Sequence, residues 1–155
     1  MSDTIETTED MPLEFVTLIA GSQSFCIEIT QIREIRRWTP VTILPHSPGY
    51  VLGVINLRGA VIPILDLGAK LGFGATDPSP RHVIIIISFD DRTIGLLVDS
   101  VSEILSVKSE ELKETPRLRE DETTRCVRGV IAIEDDMTRV IDLSTVMPAR
   151  NEVAA

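Results

Sequence analysis

The sequence contains few of the residues that usually build catalytic or metal centres. Among its 155 residues are two cysteines, Cys26 and Cys126, and two histidines, His46 and His82. Neither histidine lies near a cysteine or another histidine at the spacing of metal ligands. A glycine-rich phosphate loop and a serine nucleophile elbow are also absent. We therefore predict no metal and no cofactor, and two cysteines that are buried or idle thiols.

Positive charge and long apolar runs are scarce as well. The 15 Lys and Arg residues face 24 Asp and Glu residues, which gives a net charge of −9. A surface of this sign repels phosphate, so nucleic acid and anionic membrane are excluded as main partners. The longest aliphatic run, residues 83–87, is far shorter than the roughly 20 residues of a membrane-spanning helix. The absence of such a run predicts no membrane insertion.

The two ends of the chain differ from the part between them. Residues 1–12 are acidic and contain no Lys or Arg, whereas a signal peptide begins with basic residues. We predict a disordered acidic tail over residues 1–12, a folded domain over residues 13–147 and a second tail over residues 148–155. The absence of a signal peptide predicts a cytoplasmic protein.

Aliphatic residues in strand patterns dominate the rest of the sequence. Hydrophobic residues make up 43%, with one Trp, one Tyr and four Phe, so Ile, Val and Leu must fill the core. Residues 83–89 show no alternation, so both faces of that strand should be covered. Helix is expected only at residues 67–71 and within residues 109–119, and the loop 38–50 could hold one short strand at 41–44. Hairpins are predicted for residues 15–19 with 25–29, 53–57 with 60–65, 83–89 with 93–98, and 125–133 with 137–143.

The sequence also contains an internal repeat. Gly-Val-Ile at residues 53–55 recurs at 129–131, an offset of 76 residues, and the same offset carries Asp66-Leu67 onto Asp142-Leu143. A second match, at an offset of 69 residues, aligns residues 15–19 with 84–88 and residues 27–35 with 96–104. Motif pairs that recur at one spacing indicate a duplicated unit. We predict that the chain contains two related halves.

This duplication predicts the architecture. Each half has about five strands, and a sheet that small carries apolar residues on both faces. Closing it into a barrel removes the sheet edges, and packing two barrels together buries the remaining aliphatic face. We therefore predict an all-β protein with two interleaved five-stranded barrels around a shared aliphatic core and few short helices.

Asp66 and Asp142 are the strongest candidates for catalysis. They occupy equivalent places in the repeat, and two carboxylates related by pseudo-symmetry could share a proton as in an acid-pair hydrolase. However, neither is followed by the Asp-Thr/Ser-Gly turn of the aspartic proteases. The alternative interpretation is that each Asp caps the short helical turn that follows it.

Glu34 and Arg58 are candidates for a contact site. Arg58 lies in the predicted turn of the second hairpin, where Asn56 and Gly59 have a backbone reason to occur because both tolerate positive φ. Leu57 and Arg58 have no such reason, so a local partner or a binding partner must cover them. The pattern leaves two interpretations open. One is an Arg–Glu pair or a solvated Arg, and the other is a surface that contacts another protein.

Three motifs resemble the CheW family of chemotaxis coupling proteins. They are the hairpin sequence of residues 53–67, the segment 95–101 and the segment 32–36. The resemblance extends over about residues 13–147. It implies two SH3-like barrels, no catalysis and no cofactor. The implied function is an adaptor that links the cytoplasmic tip of chemoreceptors to the regulatory domain of the histidine kinase CheA.

The resemblance also implies a site and a place in the cell. Receptor contacts would come from Ile32, Glu34, Arg58 and Val101, and the supporting turn would come from Gly53, Asn56, Leu57 and Gly59. Kinase-binding residues cannot be assigned, because no short motif carries them. The family implies further copies in rings, and a location at receptor arrays beneath the inner membrane.

Two departures and two alternatives accompany this resemblance. The second-half turn at residues 134–136 is acidic and keeps little of the first turn, so only the first half should use an arginine. The chain length leaves no room for a phosphotransfer, ATP-binding or receiver region, which argues against kinase-like and CheV-like relatives. The alternatives are a coupler in a pilus-motility or developmental pathway and, more distantly, the acid-pair hydrolase.

Overall fold

The computed structural model describes residues 12–114 and 121–148, and most of the regular secondary structure within them is β-strand. Residues 1–11 and 149–155, which hold most of the two predicted tails, lie outside the described residues. The strands are β1 (Leu13–Ala20), β2 (Gln23–Glu28), β3 (Ile32–Arg37), β4 (Val51–Leu57), β5 (Ala60–Asp66), β6 (Val83–Phe89), β7 (Arg92–Val98), β8 (Ser100–Val107), β9 (Leu112–Lys113), β10 (Val127–Ile133) and β11 (Asp136–Ile141). The helices are single turns: α1 (Leu67–Lys70), α2 (Glu122–Arg125) and α3 (Leu143–Val146).

The strands form two sheets, and each sheet takes strands from both halves of the sequence. The first sheet has the order β8-β1-β2-β11-β10-β9, and the second has the order β3-β6-β7-β5-β4. By the repeat offsets, β6, β7 and β8 correspond to β1, β2 and β3, and β10 and β11 correspond to β4 and β5. The first hairpin of each half therefore pairs with the later strands of the other half. Neither half closes on itself.

The hydrogen-bond register is duplicated together with the sequence. Ile64 pairs in parallel with Gly95 in the second sheet, and Val140 pairs in parallel with Cys26 in the first. Both pairs stand at equivalent positions under the offsets of 76 and 69 residues. The register also shifts at equivalent points in the two halves, between Val51 and Gly53 and between Val127 and Gly129. Shared irregularities of this kind confirm the predicted duplication, because bulges are specific features of a fold.

Each sheet is closed by the segment that follows its edge strand. After β3, Thr42 forms an isolated bridge with Val54 of β4, and after β8, Lys113 of β9 pairs with Val130 of β10. These two contacts stand at matching positions in the halves. They join the ends of each sheet, so the fold consists of two SH3-like barrels. The first barrel is built around β1, β2, β8, β10 and β11, and the second barrel around β3 to β7. The short strand expected at residues 41–44 is reduced to the single bridge at Thr42.

Three clusters of buried side chains form the core. One fills the second barrel and includes Ile84 and Ile86, and a smaller one that includes Phe15 fills the first barrel. The largest cluster lies between the barrels, where Ile85 and Ile87 are both buried. Residues 84–87 alternate between the barrel interior and the shared core, which explains why this strand lacks polar alternation. The shared aliphatic core is therefore confirmed.

Two local expectations were wrong or incomplete. The helical segment expected within residues 109–119 is a single 3-10 turn at Ser109–Glu111 followed by strand β9, and residues 115–119 lie outside the described residues. Strand β8 was not assigned from the sequence, although its residues matched those of β3. Its polar and apolar residues alternate except at Glu103 and Ile104, and this interruption weakens the strand pattern.

Candidate functional site

The turn between β4 and β5 presents Arg58 to solvent. Arg58 has a φ of 52° and Gly59 a φ of 90°, which is the combination that a type I′ hairpin turn requires. Asn56 does not have positive φ, contrary to expectation. It remains in β4, where its side-chain Oδ1 accepts a hydrogen bond from the Gly59 backbone N–H at 2.9 Å. The turn therefore places a long cation in a conformation that L-residues adopt reluctantly.

Glu34 joins two arginines. Its Oε1 lies 2.6 Å from Nη2 of Arg58, and its Oε2 lies 3.4 Å from Nη1 of Arg36. The hydrogen bond from Arg58 lowers the pKa of the Glu34 carboxyl below its usual 4.5. Arg58 is 72% exposed, whereas the Glu34 side chain is 30% exposed. Glu34 thus holds one guanidinium nitrogen of an arginine whose remaining N–H groups are open to a partner.

A β-bulge determines the face on which Glu34 lies. The register of β3 against β6 shifts between Ile32 and Glu34, so that Ile32 pairs with Ile87 and Glu34 with Ile86. Because neighbouring residues of β6 point to opposite faces, the bulge turns Ile32 toward the shared core and Glu34 to the face that carries Ile86. There Glu34 lines a shallow groove of about 220 Å³, called here the Glu34 groove. The other lining residues are Arg33, Leu57, Arg58, Ala60, Ile62, Ile86 and Thr93.

The structure divides the four predicted receptor contacts into two pairs. Glu34 and Arg58 are in direct contact in the Glu34 groove. Ile32 and Val101 do not line that groove. Both are partly buried against the cluster between the barrels, and Val101 pairs with Leu18 of β1. Ile32 and Val101 stand at equivalent positions of the two halves, so each barrel contributes one aliphatic residue to the margin of the shared core.

Leu57 and Gly53, two of the predicted supporting residues, each occupy their position for a different structural reason. Leu57 is partly buried against the cluster that fills the second barrel, so a large apolar residue at the turn is covered. Gly53 has a φ of 152°, and a Cβ there would lie 2.4 Å from the backbone oxygen of Thr42. A side chain at Gly53 would therefore disrupt the bridge that closes the second barrel.

Sequence reasoning missed Arg36. Its guanidinium approaches the second oxygen of Glu34, which makes the site a three-residue network rather than a pair. The signal was present, because residues two apart on a strand share a face and Glu34 and Arg36 are two apart. The segment 32–36 had been identified only by its resemblance.

Asp66 and Asp142 are helix caps, and the acid-pair hypothesis is wrong. Asp66 is 1% exposed, and its carboxylate accepts hydrogen bonds from the Ala69 N–H at 3.2 Å and from Thr76 N–H and Oγ1 at 2.6 and 2.7 Å. Asp142 accepts from the N–H and Oγ of Ser144. A cavity of about 600 Å³ is lined by Asp142 but not by Asp66. The two carboxylates therefore have separate structural duties.

The two cysteines have structural positions in the core. Cys26 and Cys126 are buried and unpaired, and burial raises the pKa of Cys26 to about 12. Within residues 12–114 and 121–148, no group of three His, Cys, Asp or Glu side chains is arranged to hold a metal ion. Over the same part of the chain, no helix has the length and apolar character of a transmembrane segment.

Comparisons with known proteins agree with this fold. The family model of the CheW-like domain matches residues 14–151. The chain is 48% identical over 142 residues to the chemotaxis protein CheW of Rhizobium meliloti, covering 92% of each chain. It is 44% identical over 155 residues to a probable chemotaxis protein CheW of Rhizobium etli, covering the whole of both.

A solved structure agrees as well. The crystal structure of the scaffolding protein TtCheW from Thermoanaerobacter tengcongensis superposes with a TM-score of 0.83 at 26% identity, covering 93% of this chain and 98% of that one. The two barrels and the duplicated register agree with these likenesses. The chain belongs to the CheW-like family, the non-enzymatic scaffold proteins of chemotaxis.

Proposed function

We propose that this protein links chemoreceptors to the histidine kinase CheA in a chemotaxis signalling array on the cytoplasmic side of the inner membrane. Its membership of the CheW-like family supports an adaptor role. The observation that carries the receptor side of the proposal is the Glu34–Arg58 contact at 2.6 Å. It fixes one end of an exposed cation on a rigid turn, and arginines held in this way are favoured at protein interfaces.

The receptor surface consists of Ile32, Glu34, Arg58 and Val101. Glu34 and Arg58 supply charge that selects and orients a partner helix, because charge complementarity contributes specificity more than affinity. Ile32 and Val101 supply apolar contact at the margin of the shared core, where burial against a partner contributes affinity. Gly53, Asn56, Leu57 and Gly59 keep the turn in the geometry that presents Arg58. Arg36 holds the second oxygen of Glu34 and is a positioning residue.

The kinase and further copies of this chain bind elsewhere on the barrels. The regulatory domain of CheA is itself CheW-like, so two related folds would meet. A body with two barrels offers a separate face to each partner, and rings of alternating subunits follow when both faces are used. Contacts that are weak one at a time become firm when a lattice holds many of them together.

Charge exchange across the Glu34–Arg58 pair tests the receptor site. Arg58→Glu places two carboxylates together, so we expect receptor capture to fall about tenfold while CheA capture is unchanged. The double variant Glu34→Arg with Arg58→Glu restores a local pair but reverses its orientation. It should fold as stably as the parent and still fail to capture receptor. Arg81→Glu makes the same charge change at another exposed position and should have no effect.

The measurement is co-sedimentation of the full chain with a receptor cytoplasmic fragment in vesicles, together with CheA autophosphorylation. Unchanged receptor capture by Arg58→Glu would remove Arg58 from the site. Loss of both receptor and CheA capture would instead mean that the variant damages the fold. Receptor fragments from a pilus or developmental pathway, used in parallel, distinguish that alternative, because a coupler should capture the receptors of its own pathway most tightly.

A further inference from the structure

The first barrel contains a second groove that repeats the Glu34 groove. This cavity, called here the Glu103 groove, has a volume of about 510 Å³ and is lined in part by Thr17, Ser24, Ser102, Glu103, Ile133 and Asp136. These six residues stand, by the repeat offsets, where the Glu34 groove has Ile86, Thr93, Arg33, Glu34, Leu57 and Ala60. Duplication has therefore placed the same concavity on both barrels, with a glutamate at the same position in each.

The two grooves differ in charge. At the position of Arg58, the first barrel has Glu134, which has the same φ of 52°. At the positions of Arg33 and Ala60 stand Ser102 and Asp136. No Lys or Arg lines the Glu103 groove, and within the described residues no cation pairs with Glu103. One groove thus holds its own guanidinium, and the other has Glu103, Glu134 and Asp136 and no cation at the equivalent points.

The floor of the Glu103 groove is also more polar. Where the Glu34 groove has Ile86, this one has Thr17, and Thr138, at the position of Ile62, is fully buried and does not line the groove. Ser24 donates a hydrogen bond to Thr138 Oγ1 at 2.9 Å, and Thr17 Oγ1 accepts one from the Glu103 N–H at 3.1 Å. Thr17 Oγ1 also donates to the Glu103 carbonyl oxygen at 3.2 Å, and a hydroxyl oxygen that has donated once and accepted once can accept one more hydrogen bond. The rim carries Met137, which is 60% exposed and suited to cover an alkyl stem.

We propose that the Glu103 groove binds an arginine side chain presented by a partner protein. The equivalent glutamate in the second barrel holds a guanidinium at 2.6 Å, which shows the geometry that this position supports. A guanidinium offers five N–H donors and no acceptor, which matches a groove of carboxylates and hydroxyls. The proposal does not depend on a receptor role for the Glu34 groove, because it concerns the other barrel.

Peptide titration of the full, isotopically labelled chain tests this site by NMR. The probe is a blocked pentapeptide with a central arginine between glycine and serine residues, and its control carries citrulline, the neutral isostere. A single exposed ion pair predicts affinity of about 1 mM or weaker. We expect the arginine peptide, and not the citrulline peptide, to shift the backbone amide signals of Ser24, Glu103 and Asp136.

Three variants test whether the chemical-shift changes arise from binding in the Glu103 groove. Glu103→Gln should weaken the shifts about threefold or more. Glu134→Arg should abolish them, because it supplies a guanidinium from within the chain as Arg58 does in the other barrel. Glu110→Gln, an exposed acid outside the groove, should leave them unchanged, and all three changes lie on the surface, where folding is preserved.

Several results would overturn the proposal. Equal shifts from the citrulline peptide would mean that charge is not recognised. Identical shifts from calcium chloride without peptide would make the groove a metal site instead. Retention of the full response in Glu103→Gln, or no localised shift at about 10 mM peptide, would mean that the groove does not select an arginine.

Discussion

Replacing the two capping aspartates separately gives a sharp test of how the duplicated fold is stabilised. Asp66 and Asp142 are equivalent in sequence, each precedes a one-turn helix, and each accepts a hydrogen bond from the backbone of that helix. Their surroundings differ, because Asp66 is buried and also holds Thr76 ten residues away. The substitution Asp66→Ala removes a cap that also fixes a loop, whereas Asp142→Ala removes a cap that does not.

The expected costs follow from the hydrogen bonds. Loss of an aspartate cap costs about 1 kcal/mol in unfolding free energy, and this should be most of the effect of Asp142→Ala, because its other hydrogen bond, from Ser144 Oγ, is exposed. Asp66→Ala also removes two hydrogen bonds from Thr76 to an ionised acceptor, each worth about 1.5–3 kcal/mol. Because the three contributions overlap, we expect a total of about 4 kcal/mol for Asp66→Ala. Such a loss approaches the whole stability of a domain, which is about 5–15 kcal/mol.

Urea unfolding followed by circular dichroism measures both costs. If Asp66→Ala does not fold, Asp66→Asn provides the measurement, because it keeps the side-chain volume but replaces one acceptor oxygen with a donor. Its cost should lie between those of the two alanine variants. Equal costs for Asp66→Ala and Asp142→Ala would refute the reasoning, because the loop contacts of Asp66 would then contribute nothing. A folded, more stable Asp66→Asn would instead indicate that the two carboxylates repel each other.

Two further predictions concern the Glu34 site. Gly53→Ala should lower the unfolding free energy by about 2–5 kcal/mol, since it adds backbone strain and a clash with the Thr42 oxygen. Gly59→Ala has open space around its Cβ and should lower it by about 1–2 kcal/mol. Equal losses in urea unfolding would contradict this. Carboxyl NMR should show that the pKa of Glu34 lies below 4.5 and rises in Arg58→Gly, because the hydrogen bond from Arg58 is the largest cause of the lowering. Because the folded-state pKa is lowered, the pair's contribution is complete above pH 4.5 and is lost as pH falls through the lower value; an unaltered titration in the variant would exclude Arg58 as the cause.

Sequence patterns predicted most of the strands and the duplication, because both depend on local information. Alternation and β-branched residues identified the hairpins, and the absence of alternation at residues 83–89 correctly indicated a strand buried on both faces. The Gly-Val-Ile and Asp-Leu motifs located the two halves and their caps. Strand β8 was not predicted, since Glu103 and Ile104 interrupt its alternation of polar and apolar residues.

The candidate site was predicted less completely. The resemblance to CheW proteins brought Glu34 and Arg58 together, and the structure places them in contact. The positive φ of Arg58 could not be read from the sequence, because Asn56 and Gly59 are the residues that usually adopt it. The separation of Ile32 from Glu34 also escaped, since one bulge reverses the faces of all later residues on the strand.

The sequence alone determined that this chain is an all-β protein of two related halves with an aliphatic core, because strand periodicity and repeated motifs are local properties. Only the tertiary structure decided which strands share a barrel. The first hairpins of the two halves have similar patterns, so pairing within a half and pairing across halves satisfy the same local rules. The parallel contacts of β5 with β7 and of β2 with β11 join strands far apart in the chain. These contacts stabilise the chain only when both barrels close around one shared core, and so no local sequence pattern predicts them.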